Sequence, residues 1–144
     1  MKLRHALDRF YRTTALCDLR LTNHNELKPL SYNTRLYLEL IFTLGPNCTA
    51  SMLAKELGIS KAAVTIKLNR LLEDQLISKE PDPQDGRRHR LKVNEAQVPQ
   101  YQIFRKQDEE AVRRLKSRFS SQQLKDFCQM LDVLSDINEE VTSR

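Results

Sequence analysis

The sequence predicts a mainly α fold with one small β-hairpin set between its helices. Three observations carry this expectation. Apolar residues recur at steps of three and four through most of the chain, the spacing of one helix face. Helix breakers are few: there are 3 Gly and 5 Pro in 144 residues, and every Pro except Pro99 lies between positions 29 and 83. Between Leu76 and Val93 the apolar spacing changes to the alternation of a strand. A chain of this length is expected to form one domain, residues 1–144, burying about two thirds of its unfolded surface. Its 40% hydrophobic residues suffice for a core, and its 30% charged residues suit an aqueous surface.

The first helix is expected over Leu3 to Leu21, with Leu3, Leu7, Phe10, Thr14, Cys17 and Leu21 on one coiled-coil-like seam. His5 falls on its surface, and Thr22-Asn23-His24-Asn25 reads as a loop. Pro29-Leu30 leads to Ser31, the N-cap of a second helix that offers Leu36, Leu40, Ile41 and Leu44 to the core. Gly45-Pro46 stops it. Thr49 caps a short third helix with Met52, Leu53 and Leu57 on one stripe, and Gly58 ends it where the backbone needs positive φ. Ile59 plugs the corner. Ser60 then caps a fourth helix whose buried face is Val64, Leu68, Leu71 and Leu72. Its other face presents Ala62, Ala63, Thr65, Ile66, Asn69 and Arg70. Small residues there permit close approach and polar ones offer hydrogen bonds, the construction of a helix that enters the DNA major groove.

The hairpin follows at once. Leu76, Ile77 and Ser78 form the outgoing strand, and Pro81, Pro83 and Asp85-Gly86 supply turn chemistry. In the return strand Leu91 and Val93 share a face with His89, while Arg88, Arg90 and Lys92 point the other way. From Gly86 to Val93 there are four cations, Arg87 included, and no acid. A solvated face can carry such a run by chance. Directly after a helix of this kind it reads as a wing, a ribbon along the phosphate backbone that can push an Arg into the minor groove. After the wing, Asn94 caps a long helix over Glu95 to Phe119, with Pro99 early in it. Ser120-Ser121-Gln122-Gln123 restarts the last helix as a capping box, and Leu124, Phe127, Cys128, Leu131, Leu134 and Ile137 form its seam.

Charge agrees with a polyanionic partner. Net charge is +5: residues 1–48 hold seven Lys/Arg against four acids, 49–94 nine against six, and 95–144 eight against nine. The excess belongs to the first two thirds of the chain. No stretch is long and apolar enough for a membrane span, and the N-terminus lacks a signal-peptide core, so a cytoplasmic protein without membrane partner is expected. Cys17, Cys48 and Cys128 are odd in number and unclustered, against a disulfide framework or a zinc site. Neither a phosphate-binding glycine loop nor a metal-ligand or catalytic motif occurs, and His5, His24 and His89 stand far apart. No enzyme and no cofactor is expected. A pure protein-interaction module remains the alternative from another class; it has no need of the cationic wing.

The run SMLAKELGISKAAVTIKLNRLLEDQLISKEPDPQDGRRHRLKVNEAQ resembles the winged helix-turn-helix core of the MarR family of bacterial transcription regulators. The resemblance rests on Leu53-Ala54, Gly58-Ile59-Ser60-Lys61, Val64-Thr65, Arg70-Leu71, Leu76-Ile77, and Asp82-Pro83 followed by Asp85 and Arg87. The flanking helices fit the family layout. Three positions depart from the pattern: Gln75 replaces the usual Gly, Ile66 a polar or basic residue, and Val93-Asn94 the usual Leu-Thr.

The resemblance implies a mainly α fold with a small β-wing, in which a winged helix-turn-helix core, residues 31–94, is flanked by dimerisation helices at 1–30 and 95–144. It implies a homodimer held by terminal-helix residues such as Leu3, Leu7, Phe10, Leu124, Phe127 and Leu131. Two fourth helices about 34 Å apart then read a pseudo-palindromic operator in double-stranded DNA. Ser60, Lys61, Ala62, Ala63, Thr65, Ile66, Asn69 and Arg70, with Arg87, Arg88 and Arg90 of the wing, are the expected DNA contacts. In the family pattern Asp85 and Arg87 together hold the wing in shape. A homodimeric repressor released by a small aromatic or lipophilic effector is the expected function. The resemblance also carries an alternative, a thiol-based redox sensor using Cys17 with Tyr32 and Tyr37 nearby, set against core packing as the ordinary role of a free Cys.

Overall fold

The computed structural model describes residues 2–22 and 29–142. Of the expected loop Thr22–Asn25, Thr22 is the last residue of the first helix and the rest, with His24, lies outside them. Two compact units emerge, Met1–Gln102 and Ile103–Arg144. The first contains α1 (Leu3–Thr22), α2 (Tyr32–Leu44), a 3-10 turn (Gly45–Asn47), α3 (Ala50–Leu57), α4 (Lys61–Glu73), β1 (Ile77–Pro81) and β2 (His89–Val93). Helix α5 (Gln100–Arg118) begins at its end, and α6 (Ser121–Thr142) belongs to the second unit. Among the described residues no helix is long and apolar enough to cross a membrane.

The expected caps form. Ser31, Thr49 and Ser60 each accept a hydrogen bond from the backbone N–H three residues on, which satisfies one donor left open at a helix start. Ser120 and Gln123 make the reciprocal pair: Gln123 N donates to Ser120 Oγ at 3.3 Å, and Ser120 N to Gln123 Oε1 at 2.9 Å. Helix α5 starts five residues later than the sequence led us to expect. Glu95–Gln97 make a turn closed by Val98 N on Asn94 O at 3.1 Å. The cause is Pro99, whose ring disfavours helical backbone at Val98, so the helix begins only after it.

The core of the first unit is built by α2, α3, α4 and the hairpin. Its buried side chains are Leu38 and Ile41 of α2, Leu53 of α3, Val64, Leu68 and Leu71 of α4, with Leu76, Ile77, Leu91, Val93 and Val98. Helix α2 is turned in part from its expected orientation: Ile41 is buried as expected and Leu40 and Leu44 are half-buried, but Tyr37 and Leu38 are buried where Leu36 is exposed. Tyr37, Leu38 and Ile41 form their own helical stripe, and contact with the hairpin selected it over the one through Leu36 and Leu40.

The hairpin pairs antiparallel, Ile77 opposite Val93 and Lys79 opposite Leu91. Leu91 N also donates to Cys48 O at 2.8 Å, which anchors β2 to the segment before α3. Between α4 and β1 the chain reverses through Gln75, at φ +58 the one left-handed non-glycine among the described residues. Gln75 N bonds Leu72 O and Leu76 N bonds Leu71 O, the paired bonds that close a helix end through a left-handed residue. Asn94 Nδ2 donates to Gln75 O at 2.8 Å and Asn94 N to Leu76 O at 2.9 Å. The Gln75 and Asn94 departures from the family pattern therefore meet at one turn.

The terminal helices are different. On α1, Leu3 and Phe10 are exposed and Leu7 half-buried; α6 buries no residue fully, and Phe127, Leu131 and Ile137 all face solvent.

Candidate nucleic-acid interface

Helices α3 and α4 meet at a corner set by Gly58, at φ +63. A Cβ there would touch nothing within 4 Å, so the glycine serves the backbone angle alone. Ile59 does not plug the corner as expected: it is 43% exposed. Helix α4 buries Val64, Leu68 and Leu71, which leaves Lys61, Ala62, Ala63, Thr65, Ile66, Asn69 and Arg70 exposed along one side. Lys67 lies at the border. Its Nζ donates to Thr34 Oγ1 at 3.0 Å and sits 5.8 Å from the centroid of the Tyr37 ring, tying α4 to α2.

The hairpin tip is shaped by two aspartates. Gln84 N donates to Asp82 Oδ1 at 2.9 Å and Arg87 N to Asp85 Oδ1 at 3.0 Å, carboxylate-closed turns that leave the Arg87 side chain exposed. Asp85 thus acts on the Arg87 backbone rather than on its guanidinium. The ion pair of the wing is a different one. Arg90 Nη2 donates to Asp82 Oδ1 at 3.0 Å, and the Arg90 side chain is only 26% exposed. Its Nε is buried without an acceptor. Arg90 therefore braces the tip, because its long stem lets the guanidinium reach across the hairpin, and of the three cations expected on the outer face Arg88 lines the cleft between α4 and the wing. The Gln84 amide and then the Arg90 guanidinium hold the Asp82 carboxyl below the usual carboxylate range.

Between α4, the start of α3 and the wing lies an open cleft of about 250 Å³. Helix α4 contributes Lys61, Thr65 and Asn69, the wing Lys79, Arg87, Arg88 and His89, and α3 its capping residue Thr49 with Ala50 and Ser51. The lining holds four Lys/Arg and no acid, and the N-terminus of α3 adds the positive end of a helix. Such a wall suits phosphate oxygens, while the adjoining face of α4 is shaped for base edges.

Of the expected contacts, Lys61, Thr65, Asn69, Arg87 and Arg88 converge on this cleft. Ser60, Ala62, Ala63, Ile66 and Arg70 are exposed but outside it. His89, expected on one face with Leu91 and Val93, is exposed and lines the cleft together with Leu91. Lys79 and Ser51 were not anticipated. Continuing the alternation of β1 one residue past Ser78 brings Lys79 in; Ser51 carried no signal, since its place depends on how α3 meets the wing. Cys17 is half-buried on α1, Cys48 is buried with its thiol pushed up to about 11 by desolvation, and Cys128 is exposed. Tyr32 is exposed and Tyr37 lies under Lys67.

Known proteins share this architecture. A model of the MarR family matches residues 34–88, the helix-turn-helix and the start of the wing. The HTH-type transcriptional regulator BilQ of Clostridioides difficile is 31% identical over 120 residues, which span 80% of this chain and 78% of BilQ. Among solved structures, Streptococcus pneumoniae FabT in complex with DNA superposes with a TM-score of 0.56 at 18% identity, covering 96% of both chains. The Adhesin competence repressor AdcR from Streptococcus pyogenes gives 0.51 at 25% identity, covering 96% of this chain and 99% of its own. With its mainly helical fold, its two-stranded wing and this kinship, the chain belongs to the MarR family of DNA-binding transcription regulators.

Proposed function

We propose that this regulator works in the cytoplasm as a homodimeric repressor of a pseudo-palindromic operator and is released by a small aromatic or lipophilic effector. The observation that carries the DNA-facing half is the acid-free cleft joining Lys61, Thr65 and Asn69 to Arg87 and Arg88. It supports a division of labour: the wing holds phosphate or a narrow minor groove, and α4 reads bases in the major groove. The apolar seams of α1 and α6 support the dimer, because exposed apolar area of that extent marks an association surface. FabT was solved with DNA and AdcR is by name a repressor, which supports the same role here. The effector rests on the family pattern.

The test is a pair of titrations, operator against scrambled duplex, at two salt concentrations. The operator is sought upstream of the regulator's own gene. Asn69 can bond adenine in bidentate fashion, worth about 1–3 kcal/mol of discrimination, so Asn69→Ala narrows the gap between operator and scrambled duplex while sparing scrambled-site affinity. Arg88→Ala weakens both alike and flattens the salt response. The reverse pattern assigns the two surfaces the other way round.

A further inference from the structure

Docking of helix-turn-helix proteins brings the first residues of the second helix to the base edges. In α4 those residues are KAAVTIK. Two of their polar side chains, Thr65 and Lys67, are engaged inside the protein. Thr65 Oγ1 donates to Lys61 O at 2.8 Å, so its proton is committed to the helix backbone. Lys67 is held by Thr34 and Tyr37. Val64 is buried. Lys61 and Thr65 line the cleft, and the exposed remainder is Ala62, Ala63 and Ile66, whose spacing of three and four residues makes one continuous apolar strip. Ile66 is 74% exposed, in the middle of a face otherwise flanked by Lys61, Asn69 and Arg70.

We infer that the first half of α4 recognises thymine through its C5-methyl group, with Ile66 as the specificity-determining side chain. The inference rests on the reading of α4 as the element that enters the major groove. Thymine is the base that presents an apolar group there; the other three offer only donors and acceptors. Alanines at 62 and 63 let the helix backbone approach closely enough for a short apolar contact. A β-branched side chain in a helix holds one strongly preferred rotamer, so Ile66 presents its methyls with little entropy left to lose. Hydrogen-bonding readout then falls to Asn69 and Arg70, one turn later. The two halves of the exposed face read different features of the operator: methyl groups first, base edges second. The cations around the strip disfavour an apolar protein partner and favour a nucleic acid in the same position.

The experiment begins with a duplex selected by the protein from a random library. That duplex is resynthesised with deoxyuridine replacing each thymine in turn, which removes the methyl and keeps every hydrogen-bonding group. At one or more thymines per half-site the replacement weakens binding about fourfold, the effect of one buried methyl-sized group. In Ile66→Ala, checked for an unchanged melting curve, the penalty at those thymines disappears. Re-selection with Ile66→Asn moves the preferred base away from thymine. Indifference of a tightly bound selected duplex to every deoxyuridine overturns the methyl reading and spares the operator-binding role. So does a penalty that persists unchanged in Ile66→Ala. A chain that enriches no sequence overturns the reading of bases by α4, and the methyl contact with it.

Discussion

Helices α4 and α6 carry apolar residues at the same helical spacing, yet their fates differ. In α4, Val64, Leu68 and Leu71 are buried against α2, α3 and the hairpin. In α6, the seam of Leu124, Phe127, Leu131, Leu134 and Ile137 has no fully buried member. An amphipathic pattern announces a face, not what covers it. In the winged core the covering surface lies in the same compact unit. On α1 Leu3 and Phe10 are exposed and on α6 no residue is fully buried, the pattern expected if, as proposed, a second chain supplies the cover.

The largest test of that contrast is truncation. Removing residues 1–21, or everything after Phe119, is expected to abolish both the soluble dimer and operator binding, as read by sedimentation and titration. A truncated chain that remains soluble, dimeric and DNA-binding breaks the comparison outright. Point substitutions separate the two regions more finely. Leu38→Ala removes a fully buried side chain and should cost about 2–5 kcal/mol at any protein concentration. Leu131→Ala should cost stability that grows as the protein is concentrated from the monomeric into the dimeric range, because its contact forms only on association. Thermal melts over a hundredfold range of concentration, about the span needed, distinguish them.

Charge offers a third, smaller contrast. With about six phosphate contacts from two protomers, the log–log salt slope of DNA binding should lie near −5. Arg88→Ala, one contact fewer per protomer, should flatten it by about 2. Lys125→Ala, on α6, should leave it unchanged. An equal effect from Lys125 places the polyanion elsewhere. The smallest expected effect is at the wing tip. The carboxyl of Asp82 is held low, so its contribution to the wing is fully present above the ordinary carboxylate value of about 3.9 and is lost as pH falls through its lower folded value. Asp82→Asn should speed amide exchange at Arg88, whose N–H bonds Asp85 O in the same turn, and should do so near neutral pH but make no further difference in strong acid.

Much of this molecule was legible because its signals are local. Ser31, Thr49, Ser60 and Ser120 cap helices through bonds to residues three positions on, so each cap is written within a few residues of sequence. Gly58 at positive φ, the two faces of α4 and the burial of Leu91 and Val93 follow from spacing and backbone sterics alone. The cationic wing was visible as composition. Tertiary structure decided what depends on a partner far along the chain. The stripe of α2 that is buried, through Leu38 rather than Leu36, was chosen by packing against the hairpin, since both stripes are apolar enough to serve. Arg90 turned from an expected phosphate contact into a brace because Asp82, eight residues away, lies within its reach across the hairpin. Lys67 became a tie between α2 and α4 only once Thr34 and Tyr37 were set beside it, 33 residues from Thr34. Gln75 could take a left-handed turn that the family pattern gives to glycine because Asn94, 19 residues on, holds its carbonyl. Spacing determines which side of an element is apolar or charged; only the fold brings together the groups, distant in sequence, that decide what each side chain does there.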